Sequence, residues 1–393
     1  MKTKVGIFFG GRSVEHEIAI LSALQAINAF DKDKYTLIPV YITKKGRWYT
    51  GEALFDIDRY KDTDLLLQQC EEVYMRPVYK DFNLYRKKKK IFGGENILTS
   101  LDVIFPVLHG TNGEDGTFQG LLELIGIPYT GCNTVSSANG MDKIYMKMIL
   151  QESRIPVIDY VWFTGKEWFA NKEQLIKKIE DKTGYPLIIK PANLGSSVGI
   201  SAAGDKDSLI RAVEMAEKFS SRIIVEKRIV SIREINCSVL GDYAENKASV
   251  CEEPLKSGEI LSYEDKYMSG GKSSSKGMQS TKRHIPADLP ANISEKIQYY
   301  ASETFRVLSC NGVARIDFII DESAGAIYVN EINTIPGSLS FYLWEATGLP
   351  FEKLIDTLIK LALKRERETA LTTFSYDRNI FNLNKGVKGG GKL

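Results

Sequence analysis

The sequence predicts an α/β protein, α+β in its later lobes, with a first lobe around a parallel sheet and antiparallel strands after it. Three observations carry this. Over about the first 130 residues, short apolar runs alternate with helical stretches, the pattern that lays helices on the faces of a parallel sheet. Residues 232–253, VARIDFII and AIYVNEIN are mostly β, and a long stretch almost without apolar residues interrupts them. At 393 residues the chain is also long for one core and sufficient for two or three.

VGIFFGG reads as a buried strand and a glycine turn, and RSVEHEIAILSALQAI as the helix that follows. Val14, Ile18, Leu21 and Leu24 recur there at helical spacing, with Ser13 as the expected N-cap. YTLIPVYIT is a second strand and DVIFPVLHG a third that ends in a loop; the polar stretch 51–97 between them shows no assignable period. A second unit begins near Thr134. In it MDKIYMKMILQES is helical, PVIDYVWF extended, and EQLIKKIEDKTG helical with a glycine stop. The strand PLIIKP then runs into the small-residue loop ANLGSSVGIS, and Leu209, Val213 and Ala216 mark a helix before the strand RIIVEK.

Residues 262–283, SYEDKYMSGGKSSSKGMQSTKR, have no face to bury and are expected to form a lid or mobile loop. The core resumes with the helix ISEKIQYYASETFRVL, two strands, and a last amphipathic helix carrying Leu354, Ile355, Leu358, Ile359 and Leu361. The expected division is 1–133, 134–228, 229–367 with the lid 262–283, and a poorly ordered tail 368–393 ending in GVKGGGKL.

Composition removes several function classes. Basic and acidic residues balance, 52 against 50, which argues against nucleic acid as the main partner. Cys70, Cys132, Cys237, Cys251 and Cys310 are scattered without a CxxC pair, and histidines number three, so neither a disulfide scaffold nor a zinc site is expected. The first apolar run is only about five residues long, and no run reaches the roughly 20 that a membrane span needs. The expectation is a cytoplasmic protein without a membrane partner.

The chemistry concentrates in a few segments. In ARIDFII and YVNEIN, Asp317, Glu331 and Asn333 can share one face of adjacent antiparallel strands, an oxygen-donor set suited to Mg²⁺ with phosphate oxygens. Arg315, two residues from Asp317, would face a phosphoryl group there. The alternative is a pair of strands with solvated polar faces. Lys190 ends a buried strand, a costly place for an ammonium without an anion, and Lys143 stands near a helix start. LGSSVG is either a phosphate cradle of backbone N–H groups or an ordinary turn; it lacks the Walker sequence. Glu226 and Lys227, at the end of RIIVEK, suit adenine and ribose recognition. Glu15 in GGRSVEHE either meets an ammonium group or stabilises its helix dipole. HGTNGEDGTFQG is a further glycine-rich loop expected to face the same cleft.

Taken in order, FFGGRSVEHEIA, FPVLHGTNGEDGTFQGLLELIGIPYTG, MDK, IIKPANLGSSVG, EKRI, YEDKY, ARIDF and NEINTIPG resemble the D-alanine–D-alanine ligases of the ATP-grasp superfamily, from residue 5 to about 340. The resemblance implies an ATP-grasp fold, with two lobes clamping ATP between antiparallel sheets. It implies ligation of two D-alanines through a D-alanyl phosphate, for peptidoglycan precursors, with ATP, two Mg²⁺ (or Mn²⁺), and a homodimer. By motif position, Lys143 and Lys190 would bind the nucleotide phosphates, Glu226, Lys227 and Ile229 would line the adenine pocket, and the ATP-binding Lys266 would close over the site with its lid. Glu234 would meet the ribose, one residue late against the family's spacing. Glu15, with Ser196 and Tyr267, would hold the first D-alanine, beside His109, Gly337 and Ser338. Asp317, Glu331 and Asn333 would carry the metals and Arg315 the transferred phosphate.

Two departures stand out. The lid carries the long insertion SGGKSSSKGMQS, and SLSFYLWE follows NEINTIPG where the family often has a serine near Tyr342 for the product carboxylate. Ser338 or Ser340 is the expected substitute. The alternatives are a D-alanine–D-serine or D-alanine–D-lactate ligase of the same fold, or an ATP-binding module without catalysis; the tyrosine of YEDKY favours the D-alanine product.

Overall fold

A computed structural model describes residues 2–87, 96–195, 198–254 and 283–376. Strands β1 (Thr3–Gly10), β2 (Tyr35–Ile42), β3 (Trp48–Thr50), β4 (Glu71–Tyr74), β5 (Asn83–Arg86), β6 (Ile97–Ser100) and β7 (Val103–Val107) form a seven-stranded sheet ordered β6-β5-β4-β3-β2-β1-β7. The expected parallel sheet is one end of it, where β1 runs parallel to both β2 and β7. Beyond β2 the pairing turns antiparallel, through strands of three or four residues, of which β4 and β5 come from the unassigned stretch. Strands that short do not display a period of two, which is why the sequence did not announce them.

Helices α1 (His16–Ala29), α2 (Thr63–Gln68) and α3 (Thr117–Ile125) belong to the same part of the chain. The start of α1 corrects the expectation. Its N-cap is Glu15, while Ser13 Oγ accepts the Glu15 N–H at 3.1 Å and so closes the preceding turn instead. Ile18, Ile20, Ala23, Leu24 and Ile27 are buried, whereas Val14 and Leu21 are exposed. The buried stripe is rotated because α1 is gripped from two sides, by β1 and by the 337–340 turn.

A second sheet holds β8 (Tyr160–Thr164), β9 (Leu187–Pro191), β10 (Ser201–Ala203) and β11 (Arg222–Lys227), antiparallel in the order β10-β9-β11-β8. Around it lie α4 (Thr134–Met141), α5 (Lys143–Glu152), α6 (Gly165–Lys182) and α7 (Lys206–Ala216). Side chains fix their starts: Asn133, Thr164 and Asp205 make reciprocal capping boxes, and Asp142 accepts the N–H groups of Ile144 and Tyr145.

The third sheet contains β12 (Ile232–Gly241), β13 (Asn246–Pro254), β14 (Arg283–His284), β15 (Gly312–Asp321) and β16 (Ala326–Asn333), antiparallel in the order β14-β13-β12-β15-β16. Arg283, read as the end of the lid, belongs instead to β14 and pairs with Pro254. The lid residues before it, 262–282, lie outside the described residues, as do 377–393 of the tail. Helices α8 (Ala291–Val307), α9 (Phe341–Ala346) and α10 (Phe351–Ala370) complete the chain. The last turn of α10 falls inside the stretch read as tail. Among the described residues no helix is long and apolar enough to cross a membrane.

Two cores position the site. Leu354, Ile355, Leu358 and Ile359 of α10 pack with Val5, Ile7 and Phe9 of β1, so the end of the chain is anchored on the first sheet. Each such fully buried aliphatic side chain contributes about 2 kcal/mol. Ile144, Met146 and Leu150 of α5 pack with Ile316 and Phe318 of β15, which brings the start of α5 against the third sheet.

Candidate active site

Antiparallel register assembles the first wall. Glu252, Asn236, Asp317 and Glu331 are successive cross-strand partners on β13, β12, β15 and β16, and therefore share one face. Arg315 lies two residues from Asp317 and opposite Asn333. Its guanidinium grips Asp317 through two bonds of 2.6 and 2.7 Å, and Asn333 Nδ2 donates to Asp317 Oδ2 at 3.1 Å. Burial pushes the Asp317 carboxyl up against the pull of Arg315. Arg315 itself stands above the ordinary arginine range, because Asp317 outweighs the effect of burial. Lys143, on α5, puts Nζ 3.5 Å from Glu331 Oε2 and donates to the Leu194 carbonyl at 2.7 Å.

Two carboxylates and an amide oxygen on adjacent strands suit Mg²⁺, whose remaining positions phosphate oxygens can fill. Among the described residues no cluster of three or more His, Cys, Asp or Glu side chains could hold an ion alone. Asp317, Glu331 and Asn333 fit a metal that arrives with a nucleotide.

The opposite wall is built on glycines. Glu15 lines one cleft with Gly195, Lys143, Glu331 and Asn333. A Cβ on Gly110, whose φ is +69°, would lie 2.6 Å from Glu15 Oε2, so only glycine lets that loop approach the carboxylate. Glu114 accepts the N–H groups of Gly110 and Ile335, each at 2.9 Å, and joins the 109–116 loop to the loop after β16. Burial and the neighbouring charge of Glu15 push its carboxyl up to about 8.

His109 and Ser338, expected as substrate contacts, are held by bonds within the protein. Ser22 Oγ accepts the Ser338 N–H at 3.0 Å, so its hydroxyl is left to donate to His109 Nε2, also at 3.0 Å. His109 Nδ1–H then donates to the Ile335 carbonyl at 2.8 Å. Both ring nitrogens are spent inside the protein, and burial keeps the imidazole neutral by lowering its pKa. Ser338 Oγ donates to Gln25 Oε1 at 2.5 Å. These bonds hold the turn that Gly337 begins, in which Ser338, Leu339 and Ser340 are left-handed in succession, with φ of 51°, 54° and 50°. Ser340 is fully buried and its hydroxyl has no partner among the described residues.

At the other end of the cleft Glu226 is buried between two ammonium groups. Lys190 Nζ stands 2.7 Å from Oε2 and Lys147 Nζ 3.0 Å from Oε1. Burial alone would raise this carboxyl; the two lysines bring it down to about 2. Lys190 also reaches Asn330 Oδ1 at 3.2 Å, the extra residue at the irregularity between β15 and β16. Lys227 is exposed at the end of β11, Ile229 is half-buried, and Glu234 lies two residues before Asn236 on the cleft face of β12. Ser196, Lys266 and Tyr267 lie outside the described residues.

Sequence reading missed Glu114, Lys147, Asn236 and Glu252. Lys147 had a signal, since it sits four residues after Lys143 on the stripe with Ile144 and Leu150 that buries. Glu252 becomes visible only through register. It accepts the Tyr342 hydroxyl at 3.1 Å and Asn236 Nδ2 at 3.3 Å, and pairs with Arg283 at 3.1 Å. The Arg283 guanidinium lies 4.2 Å over the Tyr342 ring. Tyr342 is thus locked against Glu252, and burial with that carboxylate pushes its phenol up to about 12.

Residues 4–132 match the family described as D-ala D-ala ligase N-terminus, and residues 149–360 the D-ala D-ala ligase C-terminus. The chain is 42% identical over 382 residues to the D-alanine–D-alanine ligase of Thermosipho melanesiensis, covering 97% of this chain and 99% of that one. The structure of the D-alanine–D-alanine ligase from Coxiella burnetii superposes with a TM-score of 0.76 at 31% identity, over 94% of this chain and 96% of that one. The VanG D-Ala:D-Ser ligase from Enterococcus faecalis gives 0.77 at 33% identity, over 92% and 100%. With matched models over both halves and relatives alike along nearly the whole length, the chain belongs to the D-alanine–D-alanine ligase family.

Proposed function

We propose that this chain joins two D-alanines into D-alanyl-D-alanine at the expense of ATP, for peptidoglycan precursors, through a D-alanyl phosphate. The observation that carries the reading is one cleft lined by Glu15 on one wall and by Lys143, Glu331 and Asn333 on the other, with Arg315 beside them on the same sheet.

Glu15 attracts the ammonium group of the first D-alanine, which turns that substrate's carboxylate toward Arg315. The carboxylate oxygen attacks the γ-phosphorus and ADP leaves. The amine of the second D-alanine then attacks the acyl carbonyl, loses a proton, and phosphate departs. Arg315, fixed by its two bonds to Asp317, offsets charge on the transferring phosphoryl group without reorganising. Lys143 and Lys190 neutralise the nucleotide phosphates, and Glu226, Lys227, Ile229 and Glu234 take the adenosine. Asp317, Glu331 and Asn333 would hold two Mg²⁺, or Mn²⁺ in their place, which would supply charge neutralisation for the phosphates. The family resemblance assigns Ser196 and Tyr267 to the first D-alanine and Lys266 to the nucleotide. The same reading takes 1–133, 134–228 and 229–367 as three lobes of a cytoplasmic homodimer, without nucleic-acid or membrane partners.

The test is phosphate release from ATP and Mg²⁺ with D-alanine, L-alanine, D-serine or D-lactate, with products identified by mass spectrometry. The expected result is release that depends on D-alanine, with D-alanyl-D-alanine as the only dipeptide. A mixed product with D-serine would favour the second-substrate choice carried in the name of the Enterococcus relative. Absence of release under every condition would overturn the reading.

A further inference from the structure

Lys147 is fully buried, with Nζ 3.0 Å from Glu226 Oε1. Neither that Nζ nor Oε1 makes a well-directed hydrogen bond among the described residues, so the contact is charge pairing without alignment. A buried ammonium is costly unless an anion or acceptors compensate it, and three donors on a confined side chain are a poor choice for filling a core. Lys190 is differently placed. Its side chain is 10% exposed, and it spans from Glu226 to Asn330, next in sequence to Glu331. A single carboxylate is thus shared by one lysine that is enclosed and one that can turn toward the phosphate end.

We propose that Lys147 is a positioning residue that keeps Glu226 an oriented carboxylate when Lys190 turns to the triphosphate, and that this pair selects a purine bearing a 6-amino group. The proposal rests on the reading of this end of the cleft as the base pocket. An ionised carboxylate accepts from an exocyclic amino group and repels the carbonyl oxygen of a 6-oxo purine. Without Lys147, Lys190 would be held on Glu226 and withdrawn from the phosphates, or Glu226 would be left buried and uncompensated.

The test uses the full chain and titrates ADP and IDP calorimetrically, without amino acid, into wild type, Lys147→Met and Lys147→Arg. Lys147→Met is expected to weaken ADP about tenfold and IDP by less than about threefold, with Lys147→Arg recovering most of the ADP affinity. In turnover the KM for ATP should rise more than kcat falls. Equal weakening of both nucleotides, or an unchanged ADP preference in a folded Lys147→Met protein, would overturn the proposal. ADP failing to bind wild type would instead sink the nucleotide reading and the proposal with it. Should Lys147→Met not fold, Glu226→Gln removes the charge that Lys147 serves. The double variant should then fold and match Glu226→Gln alone, and a further loss of ADP affinity in it would show that Lys147 acts apart from Glu226.

Discussion

Glu226 and Glu114 are both buried carboxylates near the cleft, 2% and 7% exposed, and their surroundings hold them in opposite states. Glu226 would be raised by burial, but Lys147 and Lys190 bring it to about 2. Glu114 is raised by burial and by the charge of Glu15, to about 8, despite the N–H groups of Gly110 and Ile335. Burial is common to both; the neighbours decide the sign. The difference separates two tasks. A charge held ionised between two lysines is suited to a ligand's donors, whereas a neutral acid between two backbone N–H groups fastens one loop to another.

A third carboxylate tests whether that separation is real. Glu331 is partly open, with its side chain 33% exposed and Lys143 3.5 Å away. If it serves the ligand and not the fold, Glu331→Gln should lower turnover at least about a hundredfold while leaving stability within about 1 kcal/mol. Steady-state assay with Mg²⁺ titration and urea denaturation of the same sample check both halves. Wild-type turnover in that variant would remove Glu331 from the metal set, and a large loss of stability would break the comparison.

Legibility in the sequence follows the same division. Arg315, Asp317, Glu331 and Asn333 were readable because strand alternation places residues two apart on one face, and β15 and β16 are consecutive in the chain. Asn236 and Glu252 extend that row but were invisible, since nothing local fixes the register of β12 against β15 or β13. Glu114 stood inside a recognisable glycine-rich motif, yet its bond to Ile335 joins residues far apart in sequence, so its role as a fastener was not readable. Nor could the sequence show that Ser22 and Ile335 engage both nitrogens of His109, a residue expected to meet the substrate. Lys147 was the nearest miss, a lysine on an apolar stripe that helical spacing alone could have flagged.

The Glu114 side of the comparison has its own pH signature. Its folded pKa, about 8, lies above the ordinary 4.5, so the fold favours the protonated form. Its contribution to stability is therefore fully present below about 4.5 and is lost as pH rises through about 8. Glu114→Gln carries no charge to lose, but its amide offers one acceptor where the carboxyl offered two, at a cost of about 1 kcal/mol. The variant should melt below wild type near pH 4, and the gap should close and reverse as pH rises toward 8. A gap independent of pH would mean that the fold does not raise the Glu114 pKa.

The smallest expected effect lies at Tyr342. Its hydroxyl donates to Glu252, which also holds Asn236 and Arg283, so Tyr342→Phe removes one of three partners and leaves the ring under the Arg283 guanidinium. If the phenol acts by bracing Glu252, as Glu114 braces two loops, the partition between D-alanine and D-serine as second substrate should shift by no more than about threefold. Competition between equal concentrations of the two amino acids, with the dipeptides separated by mass, reads that partition directly. A shift of about tenfold or more is what loss of a hydrogen bond to a charged substrate group would give. That outcome would make Tyr342 a direct ligand of the second substrate's carboxylate, and would move it from the side of Glu114 to the side of Glu226.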